Sequence, residues 1–388
     1  MVPRLQSWHP CTLVILPIFK VMEVPFVDLK AQYRSIKSEV DHAVQLVFES
    51  GQFIGGEFVR QFESSFASLL GVSHCIGVGN GTDAIFIALK SMGVSTGDEV
   101  ITPAFGWISS AETITLAGGK VVFADILPET FTINPDALEA RISTRTKGII
   151  LIHLYGQAAQ VHHIKQICEK HKLFLIEDCA QAHLSEEYGI PVGKIGDAGT
   201  FSFYPTKNLG AYGDAGCIIT NDDSLEKRAR LYANHGGLHQ HAMEGINSRL
   251  DPLQAAMLEV KCRHLPRWTE QRIANAKLYS ELLGKVDQVT LPAVRRGTLH
   301  TFHQYVIRVA QRNELMEFLS RQRIQTMIHY PTSLPNLPAF RHLHHSIKDF
   351  PVASRSQDEV LSLPIHPELS HEQIIYVCEM IREFYSTD

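Results

Sequence analysis

Residues 202–210 read "SFYPTKNLG" and set one lysine, Lys207, between a threonine and an asparagine. The run "AGTF" just before them has the character of a strand end, and Gly210 closes the segment. A lysine on a turn directly behind a buried strand is unusual, because burial opposes its charge and lowers its pKa. The neutral amine is a nucleophile, so Lys207 is a candidate Schiff-base former. The plainer alternative is a loop lysine whose stem lies along the protein while its head reaches water.

Outward from this turn, short β-branched runs recur at "HCIGVG", "DEVITPA", "KVVFAD", "GIILIHL", "LFLIED", "TFSFY" and "GCIIT". Helical patterns lie between several of them, among them "TDAIFIALKSM", "PDALEARI" and "HHIKQICEKHK". Strands alternating with helices predict an α/β domain with a mostly parallel sheet. The apolar runs are nearly continuous, as in strands covered on both faces.

The character changes near "SRLDPLQAAMLEVKCRHLPRW". Asp251, Pro252 and Gln254 there predict an N-cap, an N1 proline and a capping partner for a long helix to about Leu283. Beyond it come a strand-like "TFHQYVIRV", a helical "RNELMEFLSRQ", a Pro-rich "HYPTSLPNLPAF" and a closing helix, "SHEQIIYVCEMIREFY". The expected division is an extension at 1–21, a large domain at 22–258 and a smaller α+β domain at 259–388. The apolar run "CTLVILPIF" near the start is too short to span a bilayer, and no A-x-A-like cleavage site follows it. Residues 1–21 are therefore expected to be a dispensable extension upstream of a start at Met22, with a weak membrane or export signal as the alternative.

Composition narrows the function classes. The chain has 388 residues, 45% hydrophobic and 20% charged, with a net charge of −5. That is globular material without the basic stripe of a nucleic-acid binder. The cysteines, Cys11, Cys75, Cys168, Cys179, Cys217, Cys262 and Cys378, are odd in number and scattered without a CxxC. They point to a reducing compartment, with no disulfide framework and no zinc site. The histidine clusters at 162–163, 239/241 and 342–345 lack acidic or cysteine partners at ligand spacing and read as surface residues.

Three further stretches carry chemistry. In "LFLIEDCAQAH" (173–183) an apolar strand ends in Glu177 and Asp178. Carboxylates at strand C-termini of an open parallel sheet sit where ligands bind, and one there could hold a cationic ring nitrogen. Asp178 could equally be a helix N-cap. It precedes Lys207 by about one strand–connection–strand unit, so both could face one crevice. In "GVGNGTDAIFIALK" (77–90) a Gly-Asn-Gly turn leads into a helix at Thr82. Its free N–H groups form an anion cradle or simply a capped helix start. In "PAFGWISSAET" (103–113) Trp107 could stack on a flat ring or be an ordinary buried aromatic. A pyridoxal phosphate enzyme uses a Schiff-base lysine and a carboxylate at the pyridinium nitrogen. The anion cradle and the aromatic plate fit the same cofactor's phosphate and ring.

The motifs "GNGTDA", "LIEDCAQAH", "SFYPTKNLG" and "GINSRLDPLQAA" together resemble the DegT/DnrJ/EryC1/StrS sugar aminotransferases, closely over about 24–283 and more loosely beyond. The resemblance implies pyridoxal 5′-phosphate in a fold-type-I (aspartate aminotransferase-like) α/β architecture. That architecture has a large domain with a mostly parallel seven-stranded sheet, a smaller C-terminal domain, and active sites shared across a cytoplasmic homodimer. It implies Lys207 as the residue joined to the cofactor and the proton shuttle, with Asp178 at the ring nitrogen and Gln181 beside the ring oxygen. Gly81, Thr82, Asp83 and Ser202 would lie at the phosphate, Trp107 on the ring, and Asn247 would reach the phosphate from the partner subunit. A dehydratase branch replaces the lysine with histidine, so Lys207 favours transamination, with L-glutamate as donor and a nucleotide-linked keto sugar as acceptor. "IHYPTSLPNLPAF" resembles the branch that aminates C3 of dTDP-linked deoxyhexoses, although the segment after "HYP" departs from that branch's usual pattern. Tyr204 and His329 are candidates for sugar contacts. Amination at C4 is the alternative within the enzyme class, and a pyridoxal-binding regulatory protein without turnover is the alternative outside it. Neither nucleic acid nor membrane is expected as a partner.

Overall fold

A computed structural model describes residues 21–386 apart from 238 and 240. The expected N-terminal extension, Val21 excepted, lies outside the described residues. The core is a seven-stranded sheet of β1 (His74–Val78), β2 (Glu99–Pro103), β3 (Lys120–Ala124), β4 (Thr146–Ile152), β5 (Phe174–Asp178), β6 (Ala198–Ser202) and β7 (Gly216–Thr220). Their spatial order is β1-β7-β6-β5-β4-β2-β3. Pairing is parallel from β6 across to β3, and β7 runs antiparallel to both β6 and β1. The apolar runs become these strands because helices cover both faces, so β2 and β7 are buried at every position.

Helices α1 (Glu57–Leu70), α2 (Gly81–Ser91), α3 (Ser109–Leu116), α4 (Val161–His171) and α5 (Asp223–Ala233) connect or cover the strands. The long α6 spans Pro252–Leu283 without interruption. Ala255, Leu258, Cys262 and Leu265, at helical spacing, pack into the large-domain core under α1. Ala276, Tyr279 and Leu283, further along, belong to the C-terminal core. The expected boundary at 258/259 therefore falls inside a continuous helix that both cores share. At its start Asp251 holds the expected N-cap position and Pro252 the first helical one, but the expected capping bonds are absent. Asp251 makes no side-chain cap bond, and Gln254 instead accepts the Tyr212 N–H at 2.9 Å.

The C-terminal part packs α7 (Arg312–Arg321) and α8 (His371–Ser386) with a two-stranded antiparallel ribbon, β8 (Tyr305–Arg308) and β9 (Val360–Leu363). The strand expected over 301–309 is shorter than its pattern. Thr301 turns back to donate to the Gly156 carbonyl at 3.1 Å, and Phe302 takes a φ of 46°. That turn carries His303 and Gln304 out of the ribbon and onto the large domain. The loop after Tyr330 is likewise tied down, with the Leu334 N–H on the Ala104 carbonyl beyond β2 at 2.9 Å.

Candidate active site

Parallel register decides which groups meet. Asp178 ends β5 opposite Ile152 of β4 and Thr200 of β6. The chain then leaves β6 through Ser202 into the lysine turn, closed by Lys207 N–H on the Tyr204 carbonyl (2.8 Å) and Ala211 N–H on the Phe203 carbonyl (2.7 Å). Asp178, Ser202 and Lys207 thus arrive at one edge of the sheet, outside the carboxyl ends of its parallel strands. They open into a cavity of about 620 Å³. Gly81, Thr82, Asp83, Trp107, Gln181, Tyr204 and His329 line it as well. Asn247 does not; it is exposed, on a loop bridged to Asn234. Its neighbour Ser248 lies behind the cradle, donating to Asp83 Oδ2 (2.6 Å) and accepting from Gly79 N–H (2.9 Å).

The electrostatics suit an amine chemist's needs. Burial lowers the Lys207 pKa to about 8, against the opposing pull of Asp178. Near neutrality a useful fraction of the amine is therefore unprotonated and nucleophilic. Burial pushes the Asp178 carboxyl upward, opposed by the Ala180 N–H at 3.0 Å and by Lys207. A cationic group delivered to Asp178 would reverse that burial penalty. Burial and the lysine charge lower His329 to about 4 and His183 to about 3, so both are neutral bases at pH 7.

The anion cradle differs in detail from the sequence expectation. Asn80, not Thr82, caps α2, and its side chain already accepts the Asp83 N–H at 2.8 Å. The Asp83 backbone donor is spent on that cap. Gly81 and Thr82 N–H, in the first turn, have no intrahelical acceptor. Thr82 Oγ1 pairs with Ser109 Oγ at 2.7 Å, which adds Ser109 to the cavity wall. Glycine is required at two points of the cradle. A Cβ on Gly81 would lie 2.6 Å from Ser202 Cβ, and one on Gly216 would lie 2.4 Å from the Asn80 carbonyl carbon. Bare backbone, free N–H groups and the helix dipole fit a phosphate. Trp107, 59% exposed, leaves an aromatic face uncovered on the cavity wall, as a flat ring would need. These residues fit pyridoxal phosphate.

Glu177, the other acid at the end of β5, faces away from this chemistry. It accepts from buried His153 Nε2 (2.9 Å) and Gly193 N–H (2.7 Å), and from the half-buried N–H groups of Ile195 and Gly196. His153 Nδ1 in turn accepts the Ala159 N–H at 3.0 Å. With Cys179 these two form a compact buried His/Glu/Cys group, and its polar atoms are spent pinning the 193–196 loop to the sheet.

Sequence reasoning missed Asn80, Ser109, Asp214, His303, Gln304 and Tyr330 in the cavity wall. Tyr330 follows His329 directly, and Asn80 stands inside the quoted glycine turn, so local signals existed for both. His303 and Gln304 were hidden in a stretch with the pattern of a strand.

Comparison with known proteins bears on this site. Residues 34–382 match the DegT/DnrJ/EryC1/StrS aminotransferase family. The chain is 47% identical over 368 residues to a pleiotropic regulatory protein of Geobacillus stearothermophilus, covering 94% of this chain and 99% of the relative. It is 39% identical over 363 residues to a dTDP-3-amino-3,6-dideoxy-alpha-D-galactopyranose transaminase of Aneurinibacillus thermoaerophilus, covering 93% and 99%. In structure it is similar to S. venezuelae DesV, solved in complex with a ketimine intermediate, with a TM-score of 0.92 and 35% identity over 93% of this chain and 98% of that one.

Proposed function

Since the chain belongs to the DegT/DnrJ/EryC1/StrS aminotransferase family and has its fold-type-I architecture, we propose that it transfers an amino group from L-glutamate to the C3 keto group of a dTDP-linked 6-deoxyhexose. The observation that carries this reading is the convergence of Lys207, with its amine pKa near 8, and Asp178 on one cavity. The cofactor is pyridoxal 5′-phosphate, which when bound supplies the electron sink for moving an amino group between carbons. Gly81 and Thr82 N–H and the Ser202 hydroxyl hold the phosphate. Asp178 holds the ring nitrogen in its cationic form, and Trp107 covers the ring. Lys207 Nζ accepts the proton released from the donor's carbon and returns it at the acceptor carbon, as base and then acid. Tyr204 and His329 contact the sugar, and neutral His329 can accept or donate a hydrogen bond there. Across the two half-reactions glutamate becomes 2-oxoglutarate and the keto sugar becomes an amino sugar.

The rest of the proposal is a cytoplasmic homodimer in which the exposed Asn247 completes the partner's phosphate site. No helix among the described residues is long and apolar enough to cross a membrane. The regulatory name of the Geobacillus relative leaves turnover open, and an intact Lys207 sharing the cavity with Asp178 favours it.

The test is an assay with glutamate and a panel of dTDP- and UDP-linked 3-keto and 4-keto sugars, read by mass spectrometry beside Lys207→Ala. A singly aminated product from a dTDP-linked 3-keto sugar, absent in the variant, is the expected result. Product only from 4-keto or UDP-linked sugars would keep the reaction and overturn the regiochemistry or the nucleotide. No change of the cofactor absorbance on adding glutamate would favour a regulatory role.

A further inference from the structure

Hydrogen-bond accounting around Gln181 leaves one proton without an acceptor. Tyr155 N–H is an obligate donor and lies 2.8 Å from Gln181 Oε1. That fixes the amide, so Gln181 Nε2, also an obligate donor, faces the Tyr330 hydroxyl at 2.8 Å. The Tyr330 oxygen must therefore accept, and its own hydrogen must point elsewhere. No other bond from that hydroxyl occurs among the described residues, and Tyr330 lines the cavity with Lys207, Asp178 and Trp107. Burial, with Asp178 nearby, raises its pKa, so the group stays a phenol at any working pH. Its ring is held at 6.2 Å from Phe105 and 5.9 Å from Trp107, and the loop behind it is tied to Ala104. The hydroxyl is thus both aimed and rigid, as a pre-organised donor should be.

We propose that Tyr330 is a hydrogen-bond donor to a ligand oxygen in the cavity, and that Gln181 is the positioning residue that sets its direction. The oxygen belongs to the cofactor ring or to the sugar, which offer the same acceptor chemistry. This rests on the reading that the cavity takes pyridoxal phosphate and a keto sugar.

The experiment uses the full-length holoenzyme and Tyr330→Phe, which keeps the ring. Three quantities are measured: pyridoxal phosphate affinity, the cofactor absorbance against pH, and calorimetric binding of a dTDP-linked 3-amino-6-deoxyhexose. One lost hydrogen bond predicts a weakening of about tenfold at most in one of the two affinities. A shifted spectrum with weaker cofactor binding assigns the oxygen to the cofactor. An unchanged spectrum with weaker sugar binding assigns it to the sugar. Unchanged values throughout, at wild-type melting temperature, overturn the proposal.

Gln181→Glu provides a second route should the first variant fold poorly. A carboxylate there still accepts from Tyr155 N–H but also accepts from Tyr330, turning its proton away from the cavity. The same affinity should fall, and adding Tyr330→Phe should cost little more. A full additional loss on adding Tyr330→Phe would refute the role given to Gln181 and, with it, the direction of the Tyr330 bond. A wild type that binds no pyridoxal phosphate would sink the functional reading and Tyr330 with it. Binding that is normal and insensitive to both substitutions sinks the Tyr330 role alone.

Discussion

The Lys261 ammonium, buried on α6, donates to the Gly210 carbonyl at 2.6 Å and sits 3.9 Å from the centre of the Tyr212 ring. Gly210 closes the turn that carries Lys207, so the shared helix of the two cores grips that turn from behind. A cation over an aromatic face, with a carbonyl acceptor, offsets part of the cost of burying the charge. It does not offset all of it: burial still lowers Lys261 to about 8.

This has a consequence for stability against pH. The folded value lies below the ordinary lysine value of 10.5, so folding releases a proton between the two. The destabilising term is present in full below about pH 8 and fades as pH rises toward 10.5. Lys207 titrates in the same window in the cofactor-free protein. Urea unfolding of that protein should show greater stability at pH 9.5 than at pH 7.5, on the order of 1 kcal/mol per lysine. Lys261→Met and Lys207→Ala should each remove part of the slope. A flat wild-type profile would contradict this account.

Glu177→Gln should damage the fold rather than the chemistry. The amide would turn an NH₂ group toward an N–H donor, leaving at least one buried donor of the 193–196 loop unpaired. Breaking a buried charged network of this kind costs about 3–5 kcal/mol. A melting curve displaced downward by several degrees, with cofactor affinity retained in the folded fraction, is the expected outcome. An unshifted melting temperature would show that the network is dispensable.

Asp178→Asn should leave the fold intact and cripple the reaction. The neutral amide cannot hold the ring nitrogen in its cationic form. The rate at which glutamate changes the cofactor absorbance in a single turnover should fall by about a hundredfold or more. A fall smaller than threefold would remove Asp178 from the proposed role.

Gly81→Ala tests the phosphate cradle by filling it. The added Cβ would press on Ser202, 2.6 Å from its Cβ and 3.1 Å from its Cα. Overpacking of this size costs about 1–3 kcal/mol, so pyridoxal phosphate should bind roughly five- to a hundredfold more weakly. Fluorescence titration of the cofactor reads it directly, and unchanged affinity would place the phosphate elsewhere.

Sharing of sites across the dimer has its own test. Lys207→Ala and Asn247→Ala homodimers should each be nearly inactive. Mixed and re-formed together, they should regain activity, because one site of each mixed dimer then has both residues intact. An absence of rescue in dimers shown to be mixed would mean that Asn247 does not act across the interface.

Much of the site was legible along the chain because parallel strands bring their C-terminal ends to one edge. Asp178 and Lys207 both follow apolar runs, so a reader who recognises β5 and β6 can place them at the same crevice. The glycine turn before α2 is legible for the same reason: free N–H groups at a helix start are a local property. Glu177 shows the limit. It stands beside Asp178 with the same local pattern, yet strand alternation sends it to the opposite face, where His153 and the 193–196 loop bind it. Gln254 is another case, since its spacing from Asp251 fits a cap but the Tyr212 N–H claims it.

What the sequence determined by itself was the strand–helix alternation, the identity of the lysine and acid, and a backbone open enough to hold an anion. Each depends on residues within a few positions of one another. Tertiary structure alone decided which donors remained free. The Asp83 N–H is consumed by Asn80, and Gln181 is oriented by Tyr155. As a result Tyr330, 149 residues from Gln181, is left with a proton to give. Hydrogen bonds saturate, so whether a polar group can act depends on every neighbour that reaches it, and those neighbours come from distant parts of the chain.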